Sequence, residues 1–323
     1  MDMTRFVNTF GRYLRQKYRE KVHKVSVNAS FTCPNRDGTK GIGGCTFCNN
    51  ASFSPGSTKA GEISEQIRQA QERVGSRTGA RKFIAYFQSY SNTYGALEDL
   101  KRYYDEALAQ PGVIGLAVGT RPDCVPDPVL KLLSEYQERG YEVWLELGLQ
   151  SSFDPTLDVI NRGHTFSDYE DAVIRVKRYG LMLCTHLIVG LPGEEPEDSL
   201  VSFDRVVGLG VDAIKIHPLH IVKGTQMARQ WRKGLVRELS MESYTDVLAT
   251  MISRAPEGLL FHRLTGSGER QYLLSPQWTM HKWDVLGLLY KKLVTVQHPH
   301  INLEFSDFYT ILLSTIFPQY SPA

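Results

Sequence analysis

Residues Thr32–Cys48 read "TCPNRDGTKGIGGCTFC", a glycine-rich stretch that holds three of the chain's five cysteines and no apolar run to bury them. Three sulfurs are an odd number for disulfides. They are also one short of the four ligands that usually close a structural zinc site. Eleven residues separate Cys33 from Cys45, and two separate Cys45 from Cys48. The close pair can bind adjacent faces of one metal centre, while the longer gap closes a loop at an entropic cost that grows slowly with length. Gly38, Gly41, Gly43 and Gly44 permit the backbone turns that close wrapping requires. Thiolates suit zinc or an iron–sulfur cluster. Zinc would need a fourth ligand, for which His23 or Cys124 is available without a local signature. A [4Fe–4S] cluster on three cysteines would leave one iron open to a substrate or cofactor. Spacing alone leaves both readings open.

The rest of the chain sets the context. Its 323 residues are 42% hydrophobic and 22% charged with a net charge of +2, the composition of an ordinary folded chain and no indication of a polyanionic partner. No apolar stretch approaches the ~20 residues that span a bilayer, and "MDMTRFVNTFGRYLRQKY" lacks the apolar centre of a signal peptide. The expected location is cytoplasmic, with no membrane partner, where thiols stay reduced and clustered cysteines point to metal or catalysis. Basic residues are uneven. From Arg12 to Lys24 six Lys or Arg face one acid, Glu20, which reads as a solvated helix face or as a contact for RNA phosphates.

From Lys21 onward, short apolar runs alternate with amphipathic ones. The runs beginning at Lys21, Lys82, Val113, Tyr141, Leu181 and Val211 read as strands, and stretches such as "LEDLKRYYDEAL" and "PVLKLLSEYQERG" as the helices between them. Strands apolar on both faces belong to parallel sheets covered by helices. The expected fold class is therefore α/β, a partial (βα)6 TIM-like barrel, because a full eightfold barrel takes ~250 residues. An open doubly wound sheet would carry a Gly-rich phosphate turn after its first strand; here the cysteine loop stands in that place. The predicted division is a basic extension over 1–20, the barrel over 21–225, and a smaller α+β region over 226–323 packed on the barrel. Polar residues concentrate where strands end, in "QSYSNT", "GTRPD", "ELGLQS", "GLPGEEPED" and "HPLHIVKGT". Chemistry in a barrel sits at those C-terminal strand ends.

The loop and strand pattern resembles the radical S-adenosylmethionine (SAM) superfamily. The usual superfamily spacing is Cys-x3-Cys-x2-Cys; the longer first gap and "GGCTFC" look like the branch containing the Elongator catalytic subunit. "INRGHT", "GLPGEEPED" and "IKIHPLHIVKGT" add to the match, and "CPNRDGT", "GTRPDCVPD" and "YEVWLELGLQ" resemble a bacterial group of predicted Fe–S oxidoreductases. The resemblance covers roughly residues 20–226. It implies that Cys33, Cys45 and Cys48 bind a [4Fe–4S] cluster whose fourth iron is chelated by SAM. It further implies that the reduced cluster breaks the sulfonium bond to give a 5′-deoxyadenosyl radical. Gln88 and Ser89 would then meet the methionyl end of SAM. Glu146 and Gln150 would bind its ribose or amino group, and Arg162 its carboxylate. Phe47 would lie along the adenine, with Val189 and Gly190 on its other side.

Each assignment has a plainer counterpart. Glu146 can neutralise a buried Arg, Arg162 can cap local carbonyls, and His217, His220, Cys124 and Cys184 can be core residues. The resemblance implies a tRNA substrate modified at the wobble uridine, with an electron donor such as flavodoxin or ferredoxin. A small-metabolite substrate and a non-catalytic zinc module are the alternatives. For tRNA, the expected contacts are the basic run at the barrel's far side and, nearer the mouth, Arg232, Lys233, His281 and Lys282 with Trp278 and Trp283.

Overall fold

The computed structural model describes residues 2–49, 52 and 61–297; the end of the expected C-terminal region, 298–323, lies outside the described residues. Helix α1 (Phe10–Tyr18) precedes β1 (Val22–Val27), and then helices and strands alternate: α2 (Ile63–Thr78), β2 (Lys82–Phe87), α3 (Leu97–Leu108), β3 (Val113–Thr120), α4 (Asp127–Glu138) and β4 (Glu142–Gln150). Two helices, α5 (Asp154–Val159) and α6 (Phe166–Arg178), lead to β5 (Met182–Val189), followed by α7 (Pro196–Gly208) and β6 (Ala213–Pro218). Beyond them come β7 (Ile221–Val222), α8 (Gln226–Arg232), α9 (Met241–Arg254), β8 (Leu260–Arg263), β9 (Leu273–Ser275) and α10 (Lys282–Gln297).

The main sheet runs β1-β2-β3-β4-β5-β6-β8, parallel throughout and in chain order. An order that never reverses winds a barrel wall, whereas a doubly wound sheet would change direction at a switch point. The six βα steps are those expected. The C-terminal region does more than pack on them, because its β8 pairs with β6 as a seventh strand. β7 and β9 form a separate antiparallel pair.

Local sequence explains the helices. In α3 the buried residues Leu100, Tyr104, Ala107 and Leu108 fall at helical spacing on one face, with Glu98 and Asp99 in the first turn, where the helix dipole favours acids. Each large apolar side chain buried this way contributes about 1.5–3 kcal/mol. Helix α6 starts at a capping box, Thr165 with Asp168. Gly115 on β3 is required by close approach, since a Cβ there would lie 2.0 Å from the Glu142 carbonyl oxygen.

Inside the wall, Ile84, Ala117, Trp144, Cys184, Ala213 and Leu260 form an apolar layer. Helix α1 plugs this end: Phe10 and Leu14 join the layer, Phe10 sits edge-on to Trp144, and the Asn8 carbonyl accepts a hydrogen bond from Phe261 N–H on β8. The plug explains why the basic run lies at the end of the barrel away from the cysteine loop.

Candidate active site at the barrel mouth

The cysteine loop leaves the C-terminal end of β1 and folds back over the cavity. Its turns are tied by Arg36 N–H to the Cys33 carbonyl (2.8 Å) and Cys48 N–H to the Cys45 carbonyl (3.0 Å). None of the three cysteines is in a disulfide, and all face one cavity of about 220 Å³, with Cys45 buried and the other two half-buried. Among the described residues no three His, Cys, Asp or Glu side chains converge closely enough to hold a single metal ion. Three thiols lining one cavity are the donor set that a [4Fe–4S] cluster with one open iron would use.

Hydrogen-bond donors surround the sulfurs. Arg162 Nη1 lies 3.4 Å from Cys45 Sγ and Asn35 Nδ2 lies 3.8 Å from it, while Arg36 Nη2 donates to the Cys48 carbonyl at 3.0 Å. Arg162 also donates to the Gly148 carbonyl from Nε and Nη2, so its fork joins β4 to the cysteine loop. Gly148 must be glycine for this: a Cβ would come within 2.9 Å of both Arg162 Nη2 and Gln150 Nε2. Gln150 follows a register shift in β4 and adopts φ +84°, an uncommon conformation for a residue with a side chain. Arg121 pairs with Asp123 through Nε and Nη2, and Lys40 of the cysteine loop reaches the same carboxylate at 2.6 Å. Burial pushes the Asp123 carboxyl up, but Arg121 and Lys40 outweigh it and hold it at about 2.

Below the mouth lies a buried charge cluster. Glu146 is fully buried and binds Lys24, Lys215 (2.6 Å) and His186 (2.7 Å), with His262 at 3.5 Å. Burial pushes the Glu146 carboxyl up; Lys215 and Lys24 overcome it and leave the pKa well below normal. Lys215 also donates to Tyr86 Oη at 2.8 Å, and burial, opposed by Glu146, lowers its ammonium to about 8. Burial depresses His186 to about 4 and His262 to about 3, so both rings are neutral near pH 7.

Of the residues singled out from sequence, Cys33, Cys45, Cys48, Phe47, Gln88, Ser89, Glu146, Gln150 and Arg162 line this one cavity, as do His217 and His220. Val189 and Gly190 do not line it. Side chains alternate along a strand, so Ile188 faces the cavity while Val189 is buried in the core between sheet and helices; Gly190 abuts Leu239. Glu146 neutralises lysines, not an Arg. Cys124 lies outside the cavity at 6% exposure and Cys184 is fully buried, both as core residues. Two expected RNA contacts are corrected: Lys24 points inward to Glu146, and Lys17 is spent on Glu142 at 2.6 Å. Trp278 is no exposed platform either, because it packs on Tyr244 and donates to the Leu239 carbonyl, whereas Trp283 is 73% exposed.

Sequence reading missed Lys24, Lys215, His186, His262, Asn35 and Arg263. A signal existed in "AIKIHP", where Ile214 and Ile216 bracket Lys215: period two sends both isoleucines to one face and the lysine to the other.

No helix among the described residues is long and apolar enough to cross a membrane. The sequence profile of the radical SAM superfamily matches residues 28–205, and that of the radical SAM C-terminal domain matches 211–294. Protein YhcC of Escherichia coli (strain K12) is 47% identical over 283 residues, 88% of this chain and 91% of that protein. A tRNA uridine(34) acetyltransferase of Dehalococcoides mccartyi is 29% identical over 166 residues, 50% of this chain but 35% of the relative. Among solved structures, archaeal Methanocaldococcus infernus Elp3 with an N-terminal deletion superposes with a TM-score of 0.60. The superposition covers 85% of this chain and 63% of the other at 18% identity, a likeness of fold.

Proposed function

Because the chain belongs to the radical SAM superfamily, whose enzymes use a [4Fe–4S] cluster and SAM, we propose that it cleaves SAM reductively at a cluster on Cys33, Cys45 and Cys48 and thereby modifies a uridine of tRNA. The observation that carries the first half is three cysteine thiols lining one cavity, with guanidinium and amide donors on Cys45. When bound, the reduced cluster supplies the electron that breaks the sulfonium bond and yields a 5′-deoxyadenosyl radical.

The chain's own residues bind, orient and exclude water. Arg162 and Asn35 place hydrogen bonds on the Cys45 sulfur, which tunes the potential of a bound cluster. Gln88, Ser89 and Gln150 present amide and hydroxyl groups to the methionyl and ribose portions of SAM, and Phe47 lies in the apolar group around Ile188, Leu219 and Met227, where an adenine can rest. Glu146, held ionised by two lysines, forms the polar floor of the cavity.

Support for tRNA comes from the names of relatives that match about half of this chain, tRNA uridine(34) acetyltransferases, and from Arg15, Arg19, Arg232 and Lys233, which stand exposed on the surface. Flavodoxin or ferredoxin fits as the electron donor and the cytoplasm as the location. Deletion of the gene followed by mass analysis of tRNA nucleosides tests the substrate. An unchanged nucleoside profile, with SAM cleavage intact, would redirect the search to small metabolites.

A further inference from the structure

Three polar side chains facing the barrel cavity have groups without partners. Arg263 is exposed at the edge of the cavity that holds Lys215 and Glu146, and its guanidinium makes no hydrogen bond or ion pair among the described residues. His220 Nε2 is buried with no partner. Among the described residues the His217 ring has no hydrogen bond and meets the His186 ring at 6.1 Å between centroids. The two histidines lie together, since a Cβ built on Gly266 would approach His217 Nδ1 to 2.9 Å and His220 Cε1 to 3.5 Å.

A local irregularity puts Arg263 there. β8 pairs with β6 through Ile214↔Phe261 and then Lys215↔Arg263, so His262 is an extra residue in the ladder. Such bulges re-aim side chains beside active sites. This one turns His262 onto Glu146 and brings Arg263 level with Lys215. A regular strand would have sent one of the two to the helix side.

The charges are then unequal. Among the described residues Glu146 is the only carboxylate lining the cavity, and it is shared by Lys24 and Lys215, while Arg263, like Arg36 and Arg162 nearer the cysteines, has no carboxylate partner. Burial first, then Arg263, holds the His217 ring neutral; burial keeps His220 at about 4. A neutral imidazole has one N–H to donate and supplies no negative charge; that of His220 goes to the Gly266 backbone, which leaves that of His217.

We propose that Arg263 and His217 form an anion subsite in the barrel, which receives a compact carboxylate or phosphate group carried by the substrate. A guanidinium offers a planar fork that pairs with either oxyanion through two bonds, and the neutral His217 ring has one N–H to add. This rests on the radical SAM reading only for what the anion belongs to.

The test is thermal stability of the full-length protein with its cluster reconstituted and SAM omitted, in acetate, dimethyl phosphate or chloride at equal ionic strength. Acetate or dimethyl phosphate should raise Tm by about 2–4 °C over chloride at several times the dissociation constant. The larger response tells whether the group is a carboxylate or a backbone-type phosphodiester. Arg263→Met should abolish the response and Arg263→Lys should keep part of it, which separates loss of charge from misfolding. Equal responses in wild type and Arg263→Met, or none beyond chloride, would overturn the subsite. So would loss of the wild-type response on adding SAM, because Arg263 would then be holding the SAM carboxylate. None of these outcomes touches SAM cleavage, which tests the family chemistry separately.

Discussion

Arg162 Nη1 lies 3.4 Å from Cys45 Sγ while the same guanidinium holds the Gly148 carbonyl. One side chain therefore couples the end of β4 to a cysteine proposed to bind the cluster. Arg162→Lys should leave iron content near four per chain but make the cluster potential more negative, because a point ammonium cannot serve both acceptors. Weaker SAM binding should accompany it. A redox titration followed by electron paramagnetic resonance reads the first effect. An unchanged potential and SAM affinity would reduce Arg162 to a tie on Gly148.

Replacing any one of Cys33, Cys45 or Cys48 with Ala should abolish SAM cleavage. Cys124→Ala and Cys184→Ala should retain it, since both are core thiols away from the cavity. Stoichiometric zinc without iron uptake in the wild-type protein would refute the cluster assignment.

Glu146→Gln should destabilise the fold by about 3–5 kcal/mol, because it leaves Lys24 and Lys215 with no buried counter-charge. Denaturant midpoints with an unchanged slope measure it. A loss below about 1 kcal/mol would mean that solvent already compensates the two ammonium groups.

Acid should weaken the protein before its carboxylates titrate. Burial lowers His186 and His220 to about 4 from 6.5, so between those values the unfolded chain binds protons that the folded chain does not. Their contribution is full above pH 6.5 and is lost as pH falls toward 4, at up to about 1.4 kcal/mol per unit for each histidine. Tm should fall steadily from about pH 7 to pH 5. A flat profile over that range would show that these rings bind protons alike in the folded and unfolded states, and so are not held neutral by burial.

If tRNA is the substrate, charge reversal at Arg232 and Lys233 should weaken its binding and flatten the salt dependence by about one unit of slope per lost phosphate contact. Lys17 and Lys24 are internally paired, so their substitution should act on stability instead. Filter binding across a salt series distinguishes the two effects.

The barrel was legible because its signals are local. Apolar runs bounded by helix patterns set the six βα steps, and three closely placed cysteines after β1 marked the mouth. Phe47, Gln88, Gln150 and Arg162 could be placed there because strand ends converge in this fold. Partnership across the barrel was not legible. Lys24, Glu146, Lys215 and His262 come from four strands spread along the chain and meet only when the sheet curls, so no spacing encodes them. The face taken by each side chain also depended on register: Ile188 lines the cavity where Val189 was expected, and a single extra residue in β8 turns His262 onto Glu146 and puts Arg263 on the cavity. Local sequence dictates which segments are strands. Pairing, pleat and bulge, which are properties of neighbouring strands together, dictate which side chains share a cavity.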